Sequence, residues 1–523
     1  MPHVVQNKDI IAIFVLFSLS FYLYTLPVKT SLYPFGEGDA VHKFGLANWI
    51  YESDRIDNEV PFFYAVWYPW VHKDDFYRPP NPIPYQVNIA SSRLLTPGDR
   101  FLGTDLFFAI TAAPLSCLAL YFVFRRLYNF WVGFLSSLLL MMSLLLIMPY
   151  LWGQRPHLIS ITFCFVIIYC FYKYTESYLK KEEKPIYLYI AALLFAGTVN
   201  QLQMLSWLGA FWLSYSLYLL IKHKKLPFNW KHGITCAIIV VIIVMPFIRD
   251  TAIDYVIKPF AITQLDHLFS WFKTDSTWSN QFMYQYDKTN WGYWTLPFLL
   301  IGLAVLLFRR EERDVLTIFL LLSLYITLHL YILNFIDQSR ATRVFYATAF
   351  IFYPIIVLGM LGIYSIIPQL KKIKIFILGG FIIAIVFFNL VPAYTTLKES
   401  YPPITRMTNE QLEFALWAKQ NIPDDSLVYT AGALSYPKMR WINMISEKPM
   451  VGFSASKYDS VAQDIKAYPA HNRVEYILLD YSDYYIVGLA NEISAMKQFE
   501  TAYTKNATLI YDKNEIRVFK LEN

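Results

Sequence analysis

Leu120-Tyr121-Phe122-Val123-Phe124-Arg125-Arg126-Leu127-Tyr128 closes one apolar run, over residues 101–124, and leads through a basic pair into another, over 130–150. Each run approaches the roughly 20 residues a helix needs to cross the hydrocarbon core, so the stretch predicts two membrane helices joined by a short turn. Similar runs occupy 10–26, 158–172, 186–199, 202–221, 233–248, 293–308, 315–334, 344–367 and 373–391, about eleven spans in all. The composition agrees. With 56% hydrophobic and 16% charged residues in 523 positions, the chain is no ordinary soluble globule. A formal charge of +6 would point to nucleic acid if the basic residues made a patch, but they sit in short runs between apolar segments. The four cysteines, Cys117, Cys164, Cys170 and Cys236, lie inside those segments, which argues against a disulfide framework.

Lys and Arg are retained on the cytoplasmic side during insertion, and their placement gives an orientation. With the N-terminus inside, Lys8, Arg125, Arg126, Lys173, Lys180, Lys181, Lys184, Lys222, Lys224, Lys225, Lys231, Arg309, Arg310, Arg313, Lys371, Lys372 and Lys374 all fall on one side. The short loops opposite hold Arg155, Arg340 and Arg343. The first span has no small-x-small cleavage site and is expected to stay as an anchor. The fold class is thus a multi-pass α-helical membrane protein, N-terminus cytoplasmic, with a membrane domain over 1–398. Its first loop (28–100), its loop 249–291 and a C-terminal soluble α/β domain (399–523) all face outward.

Within the first loop, 39–51 has the spacing of a helix lying in the interface, headed by Asp39, His42 and Lys43. The aromatic stretch 62–70 fits headgroup depth, and Arg78-Pro79-Pro80 begins a stiff extended turn. In the tail, helices are expected over 410–420, 461–468 and 492–501. Strands are expected over 427–430 and 476–480, with a terminal hairpin of 509–511 and 516–519. There is no Gly-rich nucleotide loop, so no nucleotide cofactor is expected.

The ionisable residues beside the outer helix ends are the candidates for chemistry. Asp39 stands after the first span with Glu37 two residues before it; Asp105 opens the second span; Arg155 and His157 belong to the turn before the fourth; Arg340 and Arg343 precede the tenth. A carboxylate with guanidinium groups at one membrane face suits a reaction in which a hydroxyl is deprotonated while a phosphate-bearing group leaves. Each has a plainer reading. Asp39 can cap its helix, the arginines can anchor at the interface, and His157 can be a satisfied interfacial histidine.

The 120–128 stretch running into Gly133-Phe134-Leu135-Ser136-Ser137 resembles the second and third helices of bacterial membrane glycosyltransferases of the GT-C superfamily, relatives of the protein mannosyltransferase and aminoarabinose transferase group. The resemblance extends to the acidic motif after the first span, the Arg78-Pro79-Pro80 and Arg155-Pro156 turns, Arg340-x-x-Arg343 before a helix bearing Pro354, and an outer α/β tail. It implies transfer of a sugar from a polyprenyl-phosphate donor to a glycan, lipid or protein acceptor on the extracytoplasmic face, and direct displacement with a single base predicts an inverting glycosyltransferase. Asp39 matches the family's first-loop catalytic aspartate; Glu37 and Asp105 are possible supporting acids; Arg155, His157, Arg340 and Arg343 bind the donor phosphate. The family often places Glu directly after that Asp, where Ala40 stands here. No acidic residue occupies 151–157, where one branch holds a metal, so neither a divalent metal nor another cofactor is expected. The competing readings are a flippase or transporter of a lipid-linked saccharide, and a saccharide polymerase or ligase. Against transport, no internal repeat is evident, and His329 is the nearest ionisable residue to mid-span.

Overall fold

A computed structural model describes residues 7–30, 38–53, 60–61, 76–77, 102–151, 153–182, 184–198, 202–225, 227–248, 293–332, 344–366, 371–399, 407–424, 426–431, 436–448, 450–453, 474–482 and 490–522. Helix α1 (Asn7–Thr30) carries the first apolar run. It is followed by α2 (Gly38–Ser53) and a short antiparallel pair, β1 (Val60–Pro61) with β2 (Phe76–Tyr77). The apolar run at 101–124 is interrupted at residue 113 into α3 (Leu102–Ala112) and α4 (Pro114–Leu127), and Leu106–Leu127 remains one candidate span as expected. Pro114 lies at the break: lacking an N–H and crowding the carbonyl one turn back, it interrupts the helical hydrogen bonds there and is well placed at the start of α4. Helix α5 (Phe130–Met141) begins where the Asn129 side chain accepts the Val132 amide at 3.0 Å. It meets α6 (Leu144–Leu151) at a 41° bend, and the Ser143 hydroxyl there accepts the Leu145 amide.

Helices α7 (Arg155–Leu179), α8 (Ile186–Thr198), α9 (Leu202–His223), α10 (Trp230–Ile248), α11 (Leu296–Arg309), α12 (Glu312–Ile332), α13 (Thr348–Ile366) and α14 (Lys371–Ile385) follow. Through one π-helical turn, Val386–Leu390, α14 continues into α15 (Val391–Glu399). Pro392 cannot donate to the Phe388 carbonyl, and the wider turn carries the helix past the missing bond. Among the described residues five helices are long and apolar enough to cross a membrane, or six with the bent pair α5–α6 taken as one span. Four further apolar helices are shorter, at 10–17 residues. The chain is an integral membrane protein.

One apolar core joins these helices, from Leu16 and Leu23 of α1 through Leu120, Leu139 and Phe165 to Ile351 and Ile355. Its tightest crossing is α11 on α13. A Cβ on Gly302 would lie 1.9 Å from the Ile355 carbonyl oxygen, and one on Gly359 would lie 1.9 Å from that of Phe298. Small residues let two membrane helices approach until their backbones touch.

The tail holds α16 (Asn409–Asn421), β3 (Leu427–Ala431), α17 (Tyr436–Ser446), β4 (Met450–Phe453), β5 (Val474–Asp480), α18 (Ala490–Tyr503), β6 (Ala507–Lys513) and β7 (Ile516–Leu521). The expected strands, terminal hairpin and helices 410–420 and 492–501 are present; α17 and β4 were not foreseen, and 461–468 lies outside the described residues. The five strands form one sheet in the order β4-β3-β5-β7-β6, the first three parallel and the last two antiparallel to their neighbours. Along the central strands, side chains alternate between its faces. Val428, Tyr476, Leu478 and Val518 pack under α16 and α17, while Leu427, Tyr429, Ile477 and Leu479 pack against Met496 and Phe499 of α18. Burial on both faces suits the parallel strands. Asn514 and Glu515, both at positive φ (53° and 63°), make the tight turn of the hairpin.

Candidate active site

Arg155 opens α7, not a loop as its place between two spans predicts. Gly153, at φ 80°, reverses the chain, and the Gln154 amide closes the turn by donating to the Pro149 carbonyl at 2.8 Å. Pro156 follows at the helix start, where its missing N–H costs nothing. Arg155 and His157 therefore share the first turn of a helix, and both are buried. The Arg155 guanidinium lies over the Phe108 ring at 4.0 Å and the Tyr150 ring at 5.2 Å, and its Nε donates to the Tyr150 carbonyl at 3.2 Å. Ring faces attract the cation and fix the plane of its fork.

Segments far apart in sequence build this cradle. Phe108 belongs to α3 and lies one turn beyond Asp105. Tyr150 ends α6, its hydroxyl donating to the Tyr24 carbonyl at 2.7 Å and its ring packing 4.9 Å from that of Tyr24 in α1. The Tyr24 hydroxyl in turn donates to the Met141 carbonyl at 3.4 Å. Tyr346, three residues after Arg343, donates to the Gln154 side-chain oxygen at 3.0 Å. The approach to α13 therefore arrives at the Arg155 turn.

Asp39 lies in the first turn of α2, and the described part of Asp39, as of Asp105, is its backbone. Glu37, Arg340 and Arg343 lie outside the described residues. The sequence predicts α2 lying in the interface; the structure shows it packed on two sides. Phe44 is part of the core beneath α17, its ring 5.8 Å from Trp441 and edge-on to it. Ala47 and Ile50, one and two turns along, pack into the membrane core. The helix that begins at Asp39 is thereby fixed to both the bundle and the tail sheet. Of the residues proposed from sequence, the structure brings together Arg155 and His157 and the chain leading from Arg343. Sequence reasoning missed Phe108, Tyr150, Tyr24 and Tyr346; the one available signal was an aromatic residue at each of several helix ends facing the Arg155 side.

The other charged groups gather at the opposite end of the bundle. Asp9 accepts from the Tyr121 hydroxyl at 2.6 Å and the Arg125 Nε at 2.9 Å. Asp314, fully buried, takes a two-point contact from Arg309 at 2.8 and 2.5 Å, and Arg313 donates to the Leu127 carbonyl at 3.2 Å. Lys222 pairs with Glu312 at 3.6 Å. The loops that the charge pattern assigns to one membrane side thus meet. Among the described residues no three His, Cys, Asp or Glu side chains stand close enough to hold a metal ion.

No family model matches the sequence, and no curated protein sequence matches it either. Solved structures do match in fold. The archaeal oligosaccharyltransferase AglB from Archaeoglobus fulgidus, in complex with an inhibitory peptide and a dolichol-phosphate, superposes with a TM-score of 0.58 at 10% identity, covering 99% of this chain and 75% of that one. ArnT from Cupriavidus metallidurans, bound to undecaprenyl phosphate, gives 0.56 at 8% identity over 98% of both chains. The arabinofuranosyltransferase AftD from Mycobacteria gives 0.57 at 9% identity over 98% of this chain and 41% of that one. The fold is the one these GT-C glycosyltransferases share, as the sequence resemblance implied.

Proposed function

We propose that the chain is an inverting glycosyltransferase that moves a sugar from a polyprenyl-phosphate donor to an acceptor hydroxyl or amide on the extracytoplasmic face. What carries the reading is the cradle around Arg155, where α1, α3, α6, α7 and the approach to α13 converge in a fold whose solved examples include enzymes holding dolichol-phosphate and undecaprenyl phosphate. Asp39 takes the acceptor proton as general base while the acceptor atom bonds to the anomeric carbon. The bond from that carbon to the phosphate oxygen breaks, and its electron pair leaves with the lipid phosphate. Arg155, Arg340 and Arg343 offset the charge that builds there, with His157 on the same helix turn as Arg155. Direct displacement with one base inverts the anomeric centre. The tail, sharing the α2 core through Phe44, shapes acceptor access. No step calls for a metal, so a chelator is expected to leave the rate unchanged.

Asp39→Asn in reconstituted protein tests the reading. A positioned base is worth on the order of 10²–10⁴ in rate, and a loss of that size is expected, measured as donor-dependent release of polyprenyl phosphate in detergent. Transfer persisting near the wild-type rate would remove Asp39 as base. Release in detergent, where no sealed compartment exists, also separates transfer from flipping.

A further inference from the structure

A cavity of about 400 Å³ lies between α7, α8, α9 and α10, away from the Arg155 cradle. Its nearest lining residue on α7, Ile167, is twelve positions beyond Arg155, about 18 Å along the helix at 1.5 Å per residue. The lining is almost wholly apolar, including Phe171, Ala191, Leu208 and Trp212. Small residues open it: a Cβ on Gly209 would meet nothing within 4 Å. The Trp212 and Phe228 rings, 6.1 Å apart, form one wall. Beside it Leu193 and Leu213 are exposed at 56% and 63%, on surface that faces the bilayer. A cavity without polar partners does not hold water, and the matter next to it is hydrocarbon.

Charge marks one end. Lys231 lies between two lining residues, Phe228 and Gly233, and Lys224 and Lys225 precede them. All three lysines are exposed, and among the described residues none makes an ion pair, whereas Lys222 nearby is paired with Glu312. Trp230, 65% exposed, stands beside Lys231. A tryptophan and unpaired lysines at the end of an apolar cavity are what a headgroup of negative charge meets at the membrane interface.

We infer that this cavity is a binding site for an anionic phospholipid, one acyl chain filling the space under Gly209 and the phosphate held by Lys224, Lys225 and Lys231. The occupant is a bilayer lipid, not the sugar donor, and the site is independent of the transfer reaction. Native mass spectrometry of the full chain, offered phosphatidylglycerol or phosphatidylcholine with identical acyl chains, tests it. Phosphatidylglycerol is expected to be retained about tenfold better. The triple variant Lys224→Gln, Lys225→Gln, Lys231→Gln, which changes only exposed side chains, is expected to lose that preference while still holding phosphatidylcholine. Gly209→Phe, whose Cβ meets nothing within 4 Å and whose ring occupies the cavity, is expected to weaken both lipids. Equal retention of the two lipids by the wild-type chain overturns the inference. So does undiminished retention in Gly209→Phe, or displacement of phosphatidylglycerol by equimolar polyprenyl phosphate.

Discussion

The two ends of the helical bundle hold their charged groups in different surroundings. At one end acids and bases neutralise each other: Asp9 with Arg125 and Tyr121, Asp314 with Arg309, Glu312 with Lys222. At the other, a buried guanidinium is held by two aromatic faces and a backbone carbonyl. The first arrangement consumes the charge in fixing helix ends. The second fixes the plane of a cation against aromatic faces, the orientation in which a guanidinium recognises phosphate. Charge at a membrane face is thus informative only once its partners are known.

Four experiments bear on that contrast. The largest effect is expected where α2 joins the tail. Phe44→Ala removes a buried ring from the core around Trp441, a change worth about 3–5 kcal/mol, and it frees the helix that begins at Asp39. Both the melting temperature and the transfer rate should fall. An unchanged transfer rate in a chain whose tail has loosened would separate α2 placement from catalysis.

Next comes the cradle. Arg155→Ala should lower transfer by roughly 10²–10³, as for other preorganised charge contacts. Arg155→Lys should recover little, because an ammonium neither stacks on Phe108 and Tyr150 nor presents a planar fork. Full recovery with lysine would reduce the cradle to a simple anchor. The opposite end should respond in the reverse manner. Asp9→Asn weakens hydrogen bonds to a charged group, with a stability loss of about 1.5–3 kcal/mol read from detergent melting, while transfer per folded molecule stays constant. A specific loss of transfer there would break the comparison.

The smallest effect concerns pH. The buried Lys448 ammonium bonds to the Asp424 carboxylate and holds that carboxyl below the usual range. The unfolded chain then binds the proton more readily than the folded one. The contribution is present above about pH 4 and is lost as pH falls through the lowered folded value. Asp424 is almost fully exposed, so a slight drop in tail stability below pH 4 is expected, and Asp424→Asn should remove it.

Much of the fold was legible locally. The period-two alternation of β5 and the start of α2 near Asp39 follow from residues adjacent in sequence. The break at Pro114 was legible too, but hydropathy averaged over twenty residues conceals it. The cradle around Arg155 was not, since Tyr24, Phe108 and Tyr346 look like ordinary interfacial aromatics until three helix ends are brought together. Nor was the close approach of Gly302 and Gly359, 57 residues apart in sequence, since an isolated glycine in an apolar run has the same local signature whether or not a backbone touches it.

By itself the sequence determined that the chain is built of apolar helices suited to a membrane, that its basic residues cluster between them, and that strands and helices alternate near its end. These follow from transfer free energy, charge retention and backbone periodicity, all properties of short windows. Only the tertiary structure decided that one guanidinium is caged by rings from α3 and α6, and that α2 belongs to two cores at once. Those outcomes depend on which helices pack together, and packing is settled by shape between surfaces that no local window contains.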